Sequence, residues 1–382
     1  EDIETQADFK LTATAITGKN VVVTAQAFGQ MQSINQQLSA NQIVNVVSSE
    51  KMKELPDANI AESIGRLPGV SLQRDAGEAN AVVIRGLSPK YNEIEIEGVP
   101  MVSTYFGDRG IDLSLLNDDL VKGVELSKTL RPDMDADALG GTVNLTLKTA
   151  QEGMHFDARA NGGYTKLDNS YSNYKLSVTG SDRFIENKFG ILVQGNLEQK
   201  TLPNDQFNAA YATPQVTTNI VNGDTTQYSY MDTQSATLTE TQTTRRRYAA
   251  SLILDYASSF LDVKFYTVYD QKRDTTTTRS NRSTFLNSQF FYQIFSTDTK
   301  TEQRTHSLQL LLKPGNMQIP ISLSYTRGDL RAPKGQQIDI YGFKPNDFPP
   351  IKEATTRFTQ PSVLMDYLGV QDPQNSLLQE PW

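Results

Sequence analysis

Leu55-Pro56-Asp57-Ala58, Leu67-Pro68-Gly69-Val70, Ile84-Arg85-Gly86, Ile96-Glu97-Gly98-Val99-Pro100 and Gly140-Gly141-Thr142-Val143-Asn144 follow one another within about a quarter of the chain. Each word sets a glycine or proline against an apolar run, which is how short elements are started and stopped. Asp57 is placed to cap a helix that shares Ile60, Ile64 and Leu67 on one face, and Pro68-Gly69 ends it. Val82-Val83-Ile84 reads as a strand, followed by a polar turn at Ser88-Pro89-Lys90 and a second strand in which Ile94 and Ile96 alternate with Glu93, Glu95 and Glu97. Asp112 is placed to cap a second helix carrying Leu113, Leu116 and Leu120. Val124 and Leu126, then Val143, Leu145 and Leu147, alternate with polar residues as two more strands. Residues 51–150 thus read as a compact α+β unit.

In this order and spacing the five words resemble the plug domain of TonB-dependent outer-membrane receptors, which sits inside a large β-barrel. The word around Glu97 departs slightly from the family, where Asp-Gly is commoner. Pro132 to Gly141 looks like the form found in a branch that includes carbohydrate transporters, which leans the expected substrate toward oligosaccharides. The same stretch alternates Asp133, Asp135 and Asp137 like the start of a calcium loop. However, Ala138 stands where the sharp turn needs glycine and Asn144 where the closing glutamate belongs, so no metal is expected.

Residues 1–50 are rich in Gln, Asn, Ser and Thr and read as a flexible N-terminal segment, with Asp8 to Ala13 resembling the tail strand of a preceding domain. Its apolar island, Val21-Val22-Val23-Thr24-Ala25, is similar to the TonB box. Such a segment would be captured by β-augmentation, where an extended peptide lends its backbone to a sheet edge. The chain is expected to be a mature one whose leader has been removed, with residues preceding Glu1.

From about residue 154 the period becomes two. Phe156, Ala158 and Ala160 face away from Asp157, Arg159 and Asn161. Tyr174, Leu176 and Val178 oppose Lys175, Ser177 and Thr179. Tyr248 to Tyr256, Leu261 to Tyr269, Leu308 to Leu312 and Ile319 to Tyr325 continue the pattern. Apolar-out alternation with aromatics near strand ends suits a transmembrane barrel wall, and the polar stretches 201–244 and 273–289 read as extracellular loops. About seven strands are expected before residue 330. Plugged transporters need about 22 strands, so residues 151–382 read as the first part of a barrel that is incomplete in this chain. The fold class is therefore mixed: a small α+β plug followed by antiparallel β-barrel strands.

Composition narrows the rest. Of 382 residues only 37% are hydrophobic, and no apolar run approaches a spanning helix. The absence of cysteine removes disulfides and thiolate chemistry, and a net charge of −8 argues against a nucleic-acid partner. The one dense basic run, Arg245-Arg246-Arg247, reads as a barrel rim or lumen patch. His155 and His306 lie on or beside strands without a catalytic neighbourhood, so neither enzyme chemistry nor a cofactor is expected.

The resemblance implies TonB-dependent uptake of a large or scarce solute, an oligosaccharide or a siderophore, across the bacterial outer membrane. Val21 to Ala25 would bind the TonB complex. Arg85 and Glu97 are the candidate charged lock between plug and barrel, and Tyr105 and Phe106 would face substrate at the plug apex. Gly86, Gly98, Gly140 and Gly141 are expected at turns or close approaches. Outer-membrane lipid and a surface lipoprotein are further candidate partners. The rival reading is a plugged barrel acting as a surface receptor or structural subunit without transport, and a soluble β-sandwich adhesin stands more distant.

Overall fold

Three two-residue turns organise the first domain. In Ala76-Gly77, Arg85-Gly86 and Glu97-Gly98 both residues have positive φ, with Glu97 at 53° and Gly98 at 74°. That is the backbone of a type I′ turn, whose twist matches the strands it joins. Two of the sequence words are therefore tight turns that each hold a charged side chain at the tip. The computed structural model describes residues 34–35, 37–38, 44–48, 52, 59–104, 109–116, 118–129, 134, 136–221, 224–231, 233–284 and 289–343.

The helix α1 spans Ile60–Ile64 and buries Ile60, Ala61 and Ile64. Its cap is Asn59, whose Oδ1 accepts from the Glu62 N–H at 3.3 Å and whose Nδ2 donates to Ala79 O at 2.7 Å. The expected cap, Asp57, lies outside the described residues. Next come β2 (Val70–Asp75) and β3 (Glu78–Ile84), a hairpin, and then β4 (Asn92–Ile96) and β5 (Val99–Pro100). The second expected helix is replaced by two 3-10 turns, Leu113–Leu115 and Asp118–Leu120. Asp112 does cap the first, accepting from the Ser114 N–H at 3.0 Å, but Leu116 is already extended, so no α-helical turn propagates.

A five-stranded sheet has the order β1-β6-β7-β4-β5, where β1 is Val44–Ser48, β6 Val121–Ser127 and β7 Gly141–Leu147. The β4–β7 pair is parallel and the others antiparallel. Because β1 is an edge strand of this sheet, the plug begins before residue 51. The polar composition around β1 masked a short β-branched run, Val44, Val46 and Val47, with Val46 and Ser48 buried. At Gly141 the chain passes so close to β6 that a Cβ would lie 2.6 Å from Ser127 O, which only glycine permits.

The wall is a seven-stranded antiparallel sheet, β16-β15-β14-β13-β10-β9-β8. Its strands are β8 (His155–Thr165), β9 (Ser170–Phe184), β10 (Phe189–Tyr211), β13 (Thr233–Ala257), β14 (Leu261–Thr284), β15 (Gln289–Leu312) and β16 (Ile319–Phe343). A separate hairpin of β11 (Gln215–Val221) and β12 (Asp224–Tyr230) rises from the β10–β13 connection. The stretches 201–244 and 273–289, expected as loops, are largely strand: β10 pairs with β13 from Phe189 to Tyr211, and β14 runs to Thr284. Beyond a membrane both faces of a strand meet water, so apolar alternation stops while backbone pairing continues. The sequence period therefore marked the end of the apolar band and not the end of the strand.

Alternation assigns the two faces. Leu176, Val178, Val193, Leu197, Tyr248, Ile321, Leu323 and Tyr325 are exposed on the outside. Leu192, Ile253, Tyr266 and Val268 point inward and join the same apolar cluster as Ile60, Ile84, Leu126 and Leu145 of the first domain. The small domain therefore packs on the inner face of the wall.

Candidate functional site: the interface between plug and wall

Glu78 opens β3 and is 5% exposed. Two positions on β13 with the same inward parity, Arg245 and Arg247, close on its carboxylate. Arg245 Nη1 donates to Glu78 Oε2 at 2.8 Å and Arg247 Nη2 to the same oxygen at 2.5 Å, while Lys200 Nζ on β10 donates to Oε1 at 2.9 Å. Wall acids hold the arginines in place. Asp274 takes Arg245 Nε and Nη2 at 2.8 and 2.9 Å, and Glu198 takes Arg247 Nη1 at 2.7 Å. Arg246, of opposite parity, points outward and donates to Gln199 Oε1 at 2.9 Å.

The rest of the interface repeats this polarity. Lys272 on β14 pairs with Asp112, which is buried at the cap of the first 3-10 turn. Lys175 on β9 meets Asp118 at 2.6 Å and Asp119 at 3.2 Å. Lys264 on β14 reaches Glu97 Oε1 at 2.7 Å, the same oxygen that accepts from the Leu147 N–H at 2.6 Å. In each pair the acid belongs to the small domain and the base to the wall. Two neutral contacts flank the last pair: Tyr266 Oη donates to Ile96 O and Gln309 Nε2 to Glu97 O, each at 2.8 Å.

Burial by itself would raise the acids, but neighbouring cations outweigh it. Glu78 is held below its ordinary value by Arg247 and Lys200. Asp112 is lowered by Lys272, and Asp119 by Lys175, each against the opposing effect of burial. These carboxylates stay ionised across the physiological range. Paired and hydrogen-bonded buried charges set the position of two bodies strongly, since losing one partner costs about 3–5 kcal/mol. Beside the clamp lies a cavity of about 690 Å³ between Ser63, Asp118 and Asp119 on one side and Arg159, Lys175 and Lys200 on the other.

The residues singled out in the sequence separate here. Glu97 faces the wall, with Lys264 as its partner. Arg85 stays within the small domain, its Nη2 donating to Lys128 O. Tyr105, Phe106 and Val21 to Ala25 lie outside the described residues, as do Asp133 and Asp135. Glu78, Lys200 and Lys272, and the interface role of Asp112, escape a reading of the sequence alone. A signal was present in the inward parity shared by Arg245, Arg247, Glu198 and Lys200: charges on the enclosed face of a wall require opposite charges on whatever fills it.

A small mixed sheet seated by ion pairs on the inner face of long antiparallel strands, whose outer face is apolar, is similar to the architecture of plugged β-barrels. Residues 36–142 match the family model described as the TonB-dependent receptor plug domain. This part of the chain is similar to the plugs of TonB-dependent receptors, a class that resides in the bacterial outer membrane. It is 28% identical over 157 residues to the vitamin B12 transporter BtuB of Vibrio vulnificus, covering 40% of this chain and 24% of that one. The siderophore receptor PirA of Acinetobacter baumannii aligns with 86% of this chain and 61% of its own, at 14% identity and a TM-score of 0.38. The ferric enterobactin receptor PfeA of Pseudomonas aeruginosa aligns with 81% and 58%, at 14% identity and a TM-score of 0.40. The chain thus spans about a quarter of the curated relative and about three fifths of the structures.

Proposed function

We propose that this chain is the plug and first wall strands of a TonB-dependent active transporter, with further strands closing the barrel. The observation that carries the reading is the clamp of Arg245, Arg247 and Lys200 on Glu78. It seats the plug through polar contacts that are strong in a dry interface and weaken once water enters. A plug that must open is better held this way than by a large apolar face.

TonB would capture Val21 to Ala25 by adding them as a strand to its own sheet. Tension along the chain then meets β1, an edge strand of five residues whose one neighbour in the sheet is β6. Peeling β1 uncovers the sheet from the side nearest the pull. The acid–base contacts that remain exchange for water, widening the cavity beside Asp118 and Lys175 into a path. The lock would be Glu97 with Lys264, supported by the Glu78 clamp; Arg85 would brace the plug itself. Tyr105 and Phe106 would meet solute at the apex.

The solute is large or scarce: an oligosaccharide, toward which Pro132 to Gly141 leans, or a metal chelate such as the siderophores and vitamin B12 named for the similar proteins. No covalent chemistry is needed. A surface lipoprotein covering the barrel fits the same reading. Deleting Val21 to Ala25 from the full-length receptor should abolish uptake and spare surface binding. Surface binding or assembly that survives the deletion in a receptor showing no uptake even before it would instead favour a receptor or structural subunit without transport.

A further inference from the structure

Above the clamp the inward face of the wall changes character. On β13 the ion pairs to the plug reach up to Arg245 among the described residues, and the strand extends beyond it to Thr233. Every position of the same parity from 243 to 237 is a threonine. On β14, beyond the inward Lys272 and Asp274, Thr276, Thr278 and Ser280 follow. Both runs climb away from the tight turns at 185–188 and 258–260, which in such barrels lie on the periplasmic side. They therefore line the extracellular mouth above the plug.

Register joins these runs into rows. Asn204 on β10 stands opposite Thr241, Thr241 opposite Thr278, Thr278 opposite Phe295 on β15, and Phe295 opposite Gln337 on β16. This row is neutral from end to end. Its Thr241 and Thr278 hydroxyls are 3.4 Å apart, and one row lower those of Thr243 and Thr276 are 3.0 Å apart. In the row above, Asp339 is the acid, and Gln293 and Gln337 donate to its two oxygens at 3.0 and 2.9 Å. Arg282, opposite Thr237, is the base of the row above that. Over these four rows the lining is hydroxyl and carboxamide, with one charge of each sign.

Phe295 narrows the kind of ligand that fits. It lies in the middle of the neutral row, with a strand on either side, yet is 40% exposed. Its ring runs beside Gly335, where a Cβ would come 3.9 Å from Cε2. The missing side chain leaves a flat aromatic floor edged by Thr278 and Gln337. Hydroxyl and carboxamide groups both donate and accept hydrogen bonds, as sugar hydroxyls do, and the C–H face of a sugar ring is an apolar surface that an aromatic ring can cover. Adjacent strands lie about 4.8 Å apart, so a ring seated on Phe295 has Thr278 on one flank and Gln337 on the other. An anionic metal chelate is poorly matched, because several negative charges leaving water require several cations. This lining supplies Arg282 alone.

We infer that the row from Asn204 to Gln337 is a binding subsite for a neutral oligosaccharide. One sugar ring stacks on Phe295 between Thr278 and Gln337, and the next unit along the row meets Thr241 and Asn204. The inference rests on the transporter reading above and chooses between the two solute classes that it leaves open.

The test uses the full-length receptor in detergent. An array of neutral oligosaccharides and uronic-acid oligosaccharides of the same lengths is probed with it, and the strongest binder is titrated by calorimetry beside ferric citrate. A neutral oligosaccharide should bind at least about tenfold more tightly than ferric citrate, with an affinity that holds as salt rises from about 0.05 to 0.5 M. Phe295→Ala should weaken that binding about tenfold and Thr278→Val severalfold, both variants keeping the heat-dependent gel shift of a folded β-barrel. Absence of any neutral binder, tighter binding of a uronic-acid oligosaccharide or of ferric citrate, or unchanged affinity in folded Phe295→Ala would each overturn the proposal. Import of the bound glycan undiminished by deleting Val21 to Ala25 would count against TonB-dependent transport and leave the subsite standing, which separates the two failures.

Discussion

Glu78 concentrates the energetics of the interface in one carboxylate that three cations share. Replacing it by Gln keeps the shape and leaves Arg245 and Arg247 partly uncompensated, at a cost of about 3–5 kcal/mol in plug seating. Hydrogen exchange of β2 and β3 amides in the assembled receptor should rise by orders of magnitude, and unchanged protection would contradict the clamp. The pH dependence has a definite sign. Glu78, Asp112 and Asp119 titrate below their ordinary values in the folded protein, so their contribution is full above the unfolded range and lost as pH falls through the folded values. Plug protection should thus be flat from pH 8 to about pH 5 and decline below about pH 4.5. A loss between pH 6 and 8 would point to other groups. Gly98, at a φ of 74°, has open space for a Cβ yet an unfavourable backbone for one. Gly98→Ala should therefore cost about 1–2 kcal/mol through strain alone, read as a lower thermal midpoint with the Lys264 contact intact.

At the scale of elements, α1 depends on Asn59, which caps its N-terminus and ties it to β3. Asn59→Ala should lower stability by about 1 kcal/mol, with a range of about 0.5–2, in a thermal melt; an unchanged midpoint would show that the cap contributes nothing. Elements whose burial is written locally were legible. Val143, Leu145 and Leu147 gave β7, Val124 and Leu126 gave β6, and the paired alternation around Leu252 and Phe265 gave β13 and β14. Elements that depend on distant partners were not. β1 exists because β6 offers it an edge, and the polar ends of β10, β13 and β14 are strands because neighbours extend equally far. The second helix failed because its leucines anchor separate 3-10 turns against the plug core.

For the whole molecule, the sequence showed that charges faced inward but not which plug residues answered them. Glu78 and Asp112 lie more than a hundred residues from Arg245 and Lys272, and no local pattern joins them. That separation gives the interface its character: acids of the plug meet bases of the wall across pairs far apart in the chain. The wall's inward bases and outward cations come from adjacent positions, Arg245 and Arg247 facing the plug and Arg246 the membrane side.

Whether β1 must leave the plug for solute to pass has a direct test, because the chain contains no cysteine. Val46 and Glu125 are cross-strand partners of β1 and β6, at a separation that a disulfide spans, about 4.4–6.8 Å between Cα atoms. In full-length receptor carrying Val46→Cys and Glu125→Cys, uptake of a labelled solute bound at the cell surface is measured before and after reduction. The oxidised receptor should bind but not import, and reductant should restore import to the level of the receptor without the two substitutions. Import by the oxidised receptor at the full rate would show that solute passes with β1 in place, and the peeling mechanism would be wrong.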